Sequence, residues 1–389
     1  MRSIPPAVRA AAAACAALLP VLAGAAPAAA DGAELRPEQW GMDQIGAPAA
    51  AEANDGGGIL VAVLDDGVDG THPDLADAVR QGTDFAETAG EPGDAQYGAS
   101  GTALAGVIAG RGHGREFTGG VVGVAPGADL LSVPVVAEGG GAERLAEAVR
   151  YAAGEGAQVI TLPAGAATAE PDEAVQAAVT YAADGGALVV APAGEGDSAY
   201  PGGYRDVLSV GAVDRSLALA AGSPAAEGVA LAAPGADITA LEPGGGYTTA
   251  EGTGVATGFV AGTAALVRAE YPQLRPAEVA EALTGSAAAP PGGAGAPGYG
   301  AGVVDARAAL EQAGSSAEGV PLYDEELADT AEADTGVNWP LWAAVAAAAV
   351  LLVAAGVVLV RRATANPYGF PERAKRSTRG ERTRRGGPR

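Results

Sequence analysis

Few residues in this chain have side chains suited to chemistry, and several of them fall together. The string VAVLDDGVDGTHPDL, from Val61 to Leu75, carries Asp65, Asp66, Asp69 and His72 directly after an apolar run, with a glycine turn between the acids. An acid at the carboxyl end of a strand, followed by a glycine turn, sits where an open α/β sheet presents its reactive groups. Such an acid can orient a base or a substrate. Asp65, Asp66 and Asp69 could also face a cation, but an Asp-x-x-Asp turn without further oxygen ligands usually caps its own backbone, so no metal site is expected. The only other histidine is His113, and the only cysteine is Cys15, inside a leader-like segment, which removes cysteine catalysis from the mature chain. Thr253 and Thr257 offer hydroxyls, which need an adjacent base before they become nucleophiles.

The elements that must position these residues are readable from periodicity. The apolar runs Ile59 to Leu64, Asp129 to Val136, Ala157 to Leu162 and Ala187 to Ala193 are short and bounded, as buried strands of a parallel sheet are. Leu145, Ala148, Val149 and Ala152 keep a helical spacing, and a second helical stretch, Ala174 to Ala183, precedes the next strand. Strands alternating with helices predict a doubly wound, mostly parallel α/β sheet with helices on both faces.

The ends of the chain read differently from its middle. Residues 1–30 show Arg2 and Arg9, an Ala/Leu/Val run and small residues before Asp31, the pattern of a secretory signal peptide. Ala-Ala-Ala-Cys ending at Cys15 resembles a lipidation site, but too few apolar residues separate it from Arg9. Leu341 to Val360 is uncharged and long enough to cross a hydrocarbon core of about 30 Å, with Trp339 and Trp342 at its entry. Arg361 and Arg362 follow at once, which predicts a cytoplasmic C-terminus and an outside domain. The expected organisation is therefore signal peptide 1–30, N-terminal extension 31–57, one α/β domain 58–313, acidic stalk 314–338, transmembrane helix 339–360 and basic tail 361–389. Residues 361–389 hold ten basic and two acidic residues and residues 1–30 two arginines, so the overall −24 leaves −34 for the stretch between. So acidic a surface repels nucleic acid and argues against a phosphate-binding function.

The string around Asp65 resembles the aspartate motif of the subtilisin (S8) family, with His72-Pro73-Asp74-Leu75 matching its downstream signature. SGTALAGVIAG (Ser100 to Gly110), VVAPAGEG (Val189 to Gly196), EGTGVATGFVAGTAALV (Glu251 to Val267) and YGAGVVDARAAL (Tyr299 to Leu310) follow in the family's order. The resemblance covers roughly residues 37–312 and implies a subtilisin-like fold with Asp65 at the triad aspartate. It also implies that the chemistry has been altered. Family members have His-Gly-Thr where this chain has Ser100-Gly101-Thr102, and Gly-Thr-Ser where it has Gly252-Thr253-Gly254. The oxyanion-hole asparagine corresponds to Glu195, whose charge opposes a developing oxyanion. A serine-carboxyl variant of the fold uses Glu as its base, but it still needs a nucleophilic serine, and Gly254 has no side chain. His72 belongs to the structural turn. His113 lies on the far side of a helix from Ser100 and is expected in a loop.

Domain order, with Glu38-Gln39-Trp40 before the domain and the C-terminal anchor, is similar to that of the mycosins, the membrane-anchored subtilases of actinobacterial type VII secretion systems. The absence of cysteines from the mature chain departs from many of them. The resemblance implies a pseudoprotease with no cofactor, a binding or scaffolding component whose partners are the secretion membrane complex or its secreted cargo. The enzymatic alternative, an active subtilisin-type endopeptidase processing secreted proteins, requires replacement catalytic residues. A third reading, an anchored decoy occupying the partners of an active relative, is not separable from the scaffold by sequence.

Overall fold

The computed structural model describes residues 35–87, 90–114, 117–135, 141–194, 199–226, 228–293, 295–318, 320 and 360–362. The chain divides into two units, residues 1–323 and 324–389. Glu195 and most of the expected transmembrane stretch lie outside the described residues, as do the signal peptide, nearly all of the stalk and most of the basic tail. Among the described residues no helix is long and apolar enough to cross a membrane.

The described part of the first unit carries two short helices ahead of the sheet, α1 (Trp40–Gln44) and α2 (Ala47–Ala51). The strand and helix series follows: β1 (Leu60–Asp65), β2 (Val79–Gln81), α3 (Ala99–Ala109), β3 (Arg111–His113), β4 (Gly119–Val122), β5 (Asp129–Pro134), α4 (Gly141–Gly154), β6 (Val159–Thr161) and α5 (Glu173–Asp184). It continues with β7 (Leu188–Pro192), β8 (Val207–Val213), β9 (Leu231–Pro234), β10 (Ile238–Glu242), β11 (Gly246–Ala250), α6 (Thr253–Glu270), α7 (Pro276–Gly285) and α8 (Ala306–Ala317). The four strands and two helices read from periodicity are all present: β5, β6 and β7 are shorter than the apolar runs, β1 is shifted by one residue to include Asp65, and both helices extend beyond the spacing that announced them.

Among the described residues seven strands form one sheet in the order β2-β5-β1-β6-β7-β8-β9, and every pairing within it is parallel. The side chains of β1 alternate between two cores: Val61 and Val63 join the cluster containing α3, α6 and α8, while Ala62 and Leu64 join that of α4 and α5. Strand β1 pairs with β5 on one side and β6 on the other, so the direction of winding reverses there. That reversal opens a crevice at the carboxyl end of β1, where Asp65 stands.

Helix α6 is the central helix of one layer. Every residue from Val255 to Arg268 is buried, so its apolar residues run all round rather than along one stripe. Small residues let neighbours come close: a Cβ on Gly262 would stand 2.6 Å from that of Val124. The segment before β1 is also packed in. Ile45 is fully buried, the Gln39 side chain exchanges two hydrogen bonds with the backbone of Val122, and the Trp40 indole donates towards the carbonyls of Ala236 and Asp237.

Candidate functional site

Asp65 ends β1 with its side chain in the crevice and is 8% exposed. Its Oδ1 accepts the Asp66 backbone N–H at 2.8 Å, and its Oδ2 accepts the Ser100 hydroxyl at 3.2 Å. Asp66 turns the other way and caps α3, its two carboxylate oxygens accepting the backbone N–H groups of Ser100 (3.1 Å) and Gly101 (2.8 Å). A carboxylate over the first turn of a helix satisfies donors that have no partner within the helix, and the helix dipole favours it. The cap brings Ser100 to Asp65. Gly101 is required beside it, because a Cβ there would run into the carbonyl of Gly67.

The electrostatics of the pair follow from this placement. Burial, reinforced by the charge of Asp66, raises the Asp65 carboxyl from 3.8 to about 7, and the hydrogen bonds from the Asp66 backbone and Ser100 offset only part of it. No cation neutralises Asp65 among the described residues, since both histidines are engaged elsewhere. The ring of His72 is buried, with Nδ1 accepting the Asp74 backbone N–H and Nε2 donating to the Gly246 carbonyl. His113 is 2.5 Å from the fully buried Asp74 carboxylate, which also accepts the Tyr247 hydroxyl (3.1 Å) and the Val121 N–H (2.8 Å).

The structure corrects one expectation here. His113 is not in a loop: it closes β3, whose antiparallel pairing with β4 carries it back onto the turn that holds Asp74. It still does not approach Ser100, because α3 lies between. Asp69 serves its own turn, accepting from Thr71 and from the Gly244 N–H. Burial raises its carboxyl, but those hydrogen bonds outweigh the effect and its pKa is lowered.

Gly254 lies in the first turn of α6, with no positive φ, and among the described residues outside its own helix turn the atom within 4 Å of an added Cβ is the Cβ of Ala164 at 3.3 Å. The position would therefore take a small side chain if Ala164 gave by a few tenths of an ångström. The hydroxyls of Thr253 and Thr257 do not stand ready as nucleophiles: Thr257 donates to the Thr253 carbonyl at 2.8 Å, and both residues are buried. Sequence reasoning missed the part played by Asp66. The acid doublet was visible, but the two N–H groups it caps belong to residues far along the chain.

Comparison with known proteins agrees with the geometry. Residues 56–309 match the subtilase family, peptidase S8. An intracellular serine protease of Paenibacillus polymyxa is 37% identical over 241 residues, covering 59% of this chain and 72% of its own. Among solved structures, MycP1 with its N-terminal propeptide removed superposes with a TM-score of 0.60 at 30% identity, over 70% of this chain and 96% of that one. The MycP3 protease from the type VII (ESX-3) secretion system gives 0.59 at 30% identity, over 70% and 87%.

Proposed function

The chain belongs to the subtilase family, and from that premise we propose that it is a catalytically inactive member, anchored in the plasma membrane, that acts as a binding or scaffolding component of a type VII secretion system. The observation that carries the reading is the partner of Asp65: a serine hydroxyl at 3.2 Å rather than an imidazole. Acyl transfer by this fold needs a nucleophile and an imidazole to take its proton, and position 254 is a glycine while the residue paired with Asp65 is a serine. Gly254 at the nucleophile position and Glu195 at the oxyanion position point the same way.

The secretion context rests on the likeness to MycP1 and MycP3, the latter from the type VII (ESX-3) system, together with the sequence order of leader, domain, acidic stalk, apolar segment and basic tail. The partner proposed is the membrane complex of such a system or its cargo, met on the outer face. Two measurements test this. A fluorophosphonate probe should leave the full-length chain unlabelled, and labelling abolished by Asp65→Ala would establish a working serine. Deletion of the gene should weaken assembly or export, with Asp65→Ala restoring it as fully as the parent chain. Restoration by residues 339–389 alone would defeat a role for the folded domain.

A further inference from the structure

A second polar feature lies at the end of the sheet remote from Asp65. Arg268 stands in the last turn of α6, fourteen residues after Gly254 and so about 21 Å along the helix axis. It is 8% exposed, its Nη1 has no hydrogen-bond partner among the described residues, and burial alone pulls its guanidinium below the ordinary arginine value. Among the described residues no carboxylate forms a salt bridge with it. The C-terminal end of α6 favours a cation in its field, but it supplies no acceptor to Nη1.

Arg268 lines a cavity of about 860 Å³ together with Gln273, whose Oε1 is likewise buried and without a partner. The remaining walls include Leu188 at the start of β7, Leu208 near the start of β8, and Leu274. A concave, mostly apolar site with a few convergent polar groups is the usual form of a ligand pocket, and this volume falls within the ordinary range for one. A buried guanidinium with a free donor is costly unless an acceptor meets it. The two free groups are complementary: one donates and the other accepts. Asp184 and Asp206, also on the lining, disfavour a multiply charged anion such as phosphate. The other basic residue of the lining, Arg275, pairs with Glu278 at 3.0 Å.

We propose that this cavity binds the C-terminal end of a polypeptide with an apolar last residue, the Arg268 and Gln273 side chains turning into the cavity so that the carboxylate accepts from the guanidinium and the last backbone N–H donates to Gln273 Oε1. The last side chain then lies among Leu188, Leu208 and Leu274. The site shares no residue with the crevice at Asp65, so the proposal stands apart from the reading of that crevice.

Isothermal titration of the full-length chain in detergent tests it, with N-acetyl-Ala-Ala-Leu as the probe. The free acid is expected to bind at least about tenfold more tightly than its C-terminal carboxamide, the margin of one charge-assisted hydrogen bond. Arg268→Met should abolish the preference without lowering the urea midpoint, because an unpaired buried cation is replaced by a side chain of similar length that fills the same space. Equal binding of acid and amide overturns the proposal, and that comparison needs no variant. Retention of the preference in Arg268→Met also overturns it. N-acetyl-leucine binding as tightly as the tripeptide, or acetate displacing the tripeptide at equal concentration, would show a small-acid site and exclude the polypeptide end.

Discussion

Replacing Asp65 with asparagine should stabilise this protein at alkaline pH and leave it unchanged in acid. The carboxyl titrates near 3.8 when unfolded and at about 7 when folded, because burial and the neighbouring Asp66 disfavour its charge. Below pH 4 both states hold the proton, and the stabilisation that comes with the protonated form is fully present. Between about pH 4 and 7 the folded chain keeps a proton that the unfolded chain has released, so stability falls as pH rises, and above pH 7 the contribution is gone. At about 1.4 kcal/mol for each decade of acidity, the separation comes to about 4 kcal/mol. That is a large part of the 5–15 kcal/mol typical of a folded domain. Asparagine mimics the protonated acid: its Oδ1 can accept the Asp66 N–H and its amide can donate to the Ser100 hydroxyl. Urea unfolding of the full-length chain, followed by circular dichroism at pH 4 and pH 8, reads the difference. With an m-value of about 3 kcal/mol/M, the midpoint of Asp65→Asn should exceed that of the parent by more than about 1 M at pH 8 and match it at pH 4. A variant no more stable at pH 8, or one displaced equally at both pH values, would refute the reasoning.

Asp66→Asn should cost about 1 kcal/mol by weakening the cap on α3. It should also move the decline of stability with pH to lower pH, since the charge that raises Asp65 is removed; the same pH series of urea midpoints checks both effects. Asp74→Ala strands the Val121 N–H, the Tyr247 hydroxyl and the His113 ring, and should destabilise by about 3 kcal/mol or more in chemical denaturation. The triple change Ser100→His, Gly254→Ser and Glu195→Asn should confer fluorophosphonate labelling and raise peptide hydrolysis at least about a thousandfold over the parent, whereas each single change should do neither.

What could be read from the sequence was local. The runs Ile59 to Leu64 and Ala187 to Ala193 announce strands because branched apolar residues are uninterrupted there, whereas β8 is broken by Ser209 and Gly211 and β9 is the Ala-rich LAAP, so neither stands out. The string around Asp65 was legible as a site because strand, acid and glycine turn are adjacent. The cap by Asp66, the pairing of His113 with Asp74 and the burial of Arg268 all depend on segments far apart in the chain. In Arg268 the charge near a helix end resembles a solvent-facing position; the loop through Gln273 and the start of α7 help to enclose it.

The residues framing the crevice are set by packing, and those at positions 100 and 254 are not. Gly101 admits the Gly67 carbonyl, buried Thr102 accepts the Asp69 N–H at 2.8 Å, and buried Thr257 bonds back along α6. Changing any of these disturbs the core. Ser100, by contrast, is exposed, and Gly254 is only partly covered, so residues there can be exchanged while sheet and helices keep their places. Asp65 differs from both because it is buried at the end of a central strand, where no cation among the described residues meets its charge. If the reactive side chains have been lost as proposed, the fold survives because two of those positions lie outside the packing. Asp65, the reactive residue that is retained, carries a physical trace of the loss: a buried acid titrating near neutrality, which an imidazolium at position 100 would draw back down by its opposite charge.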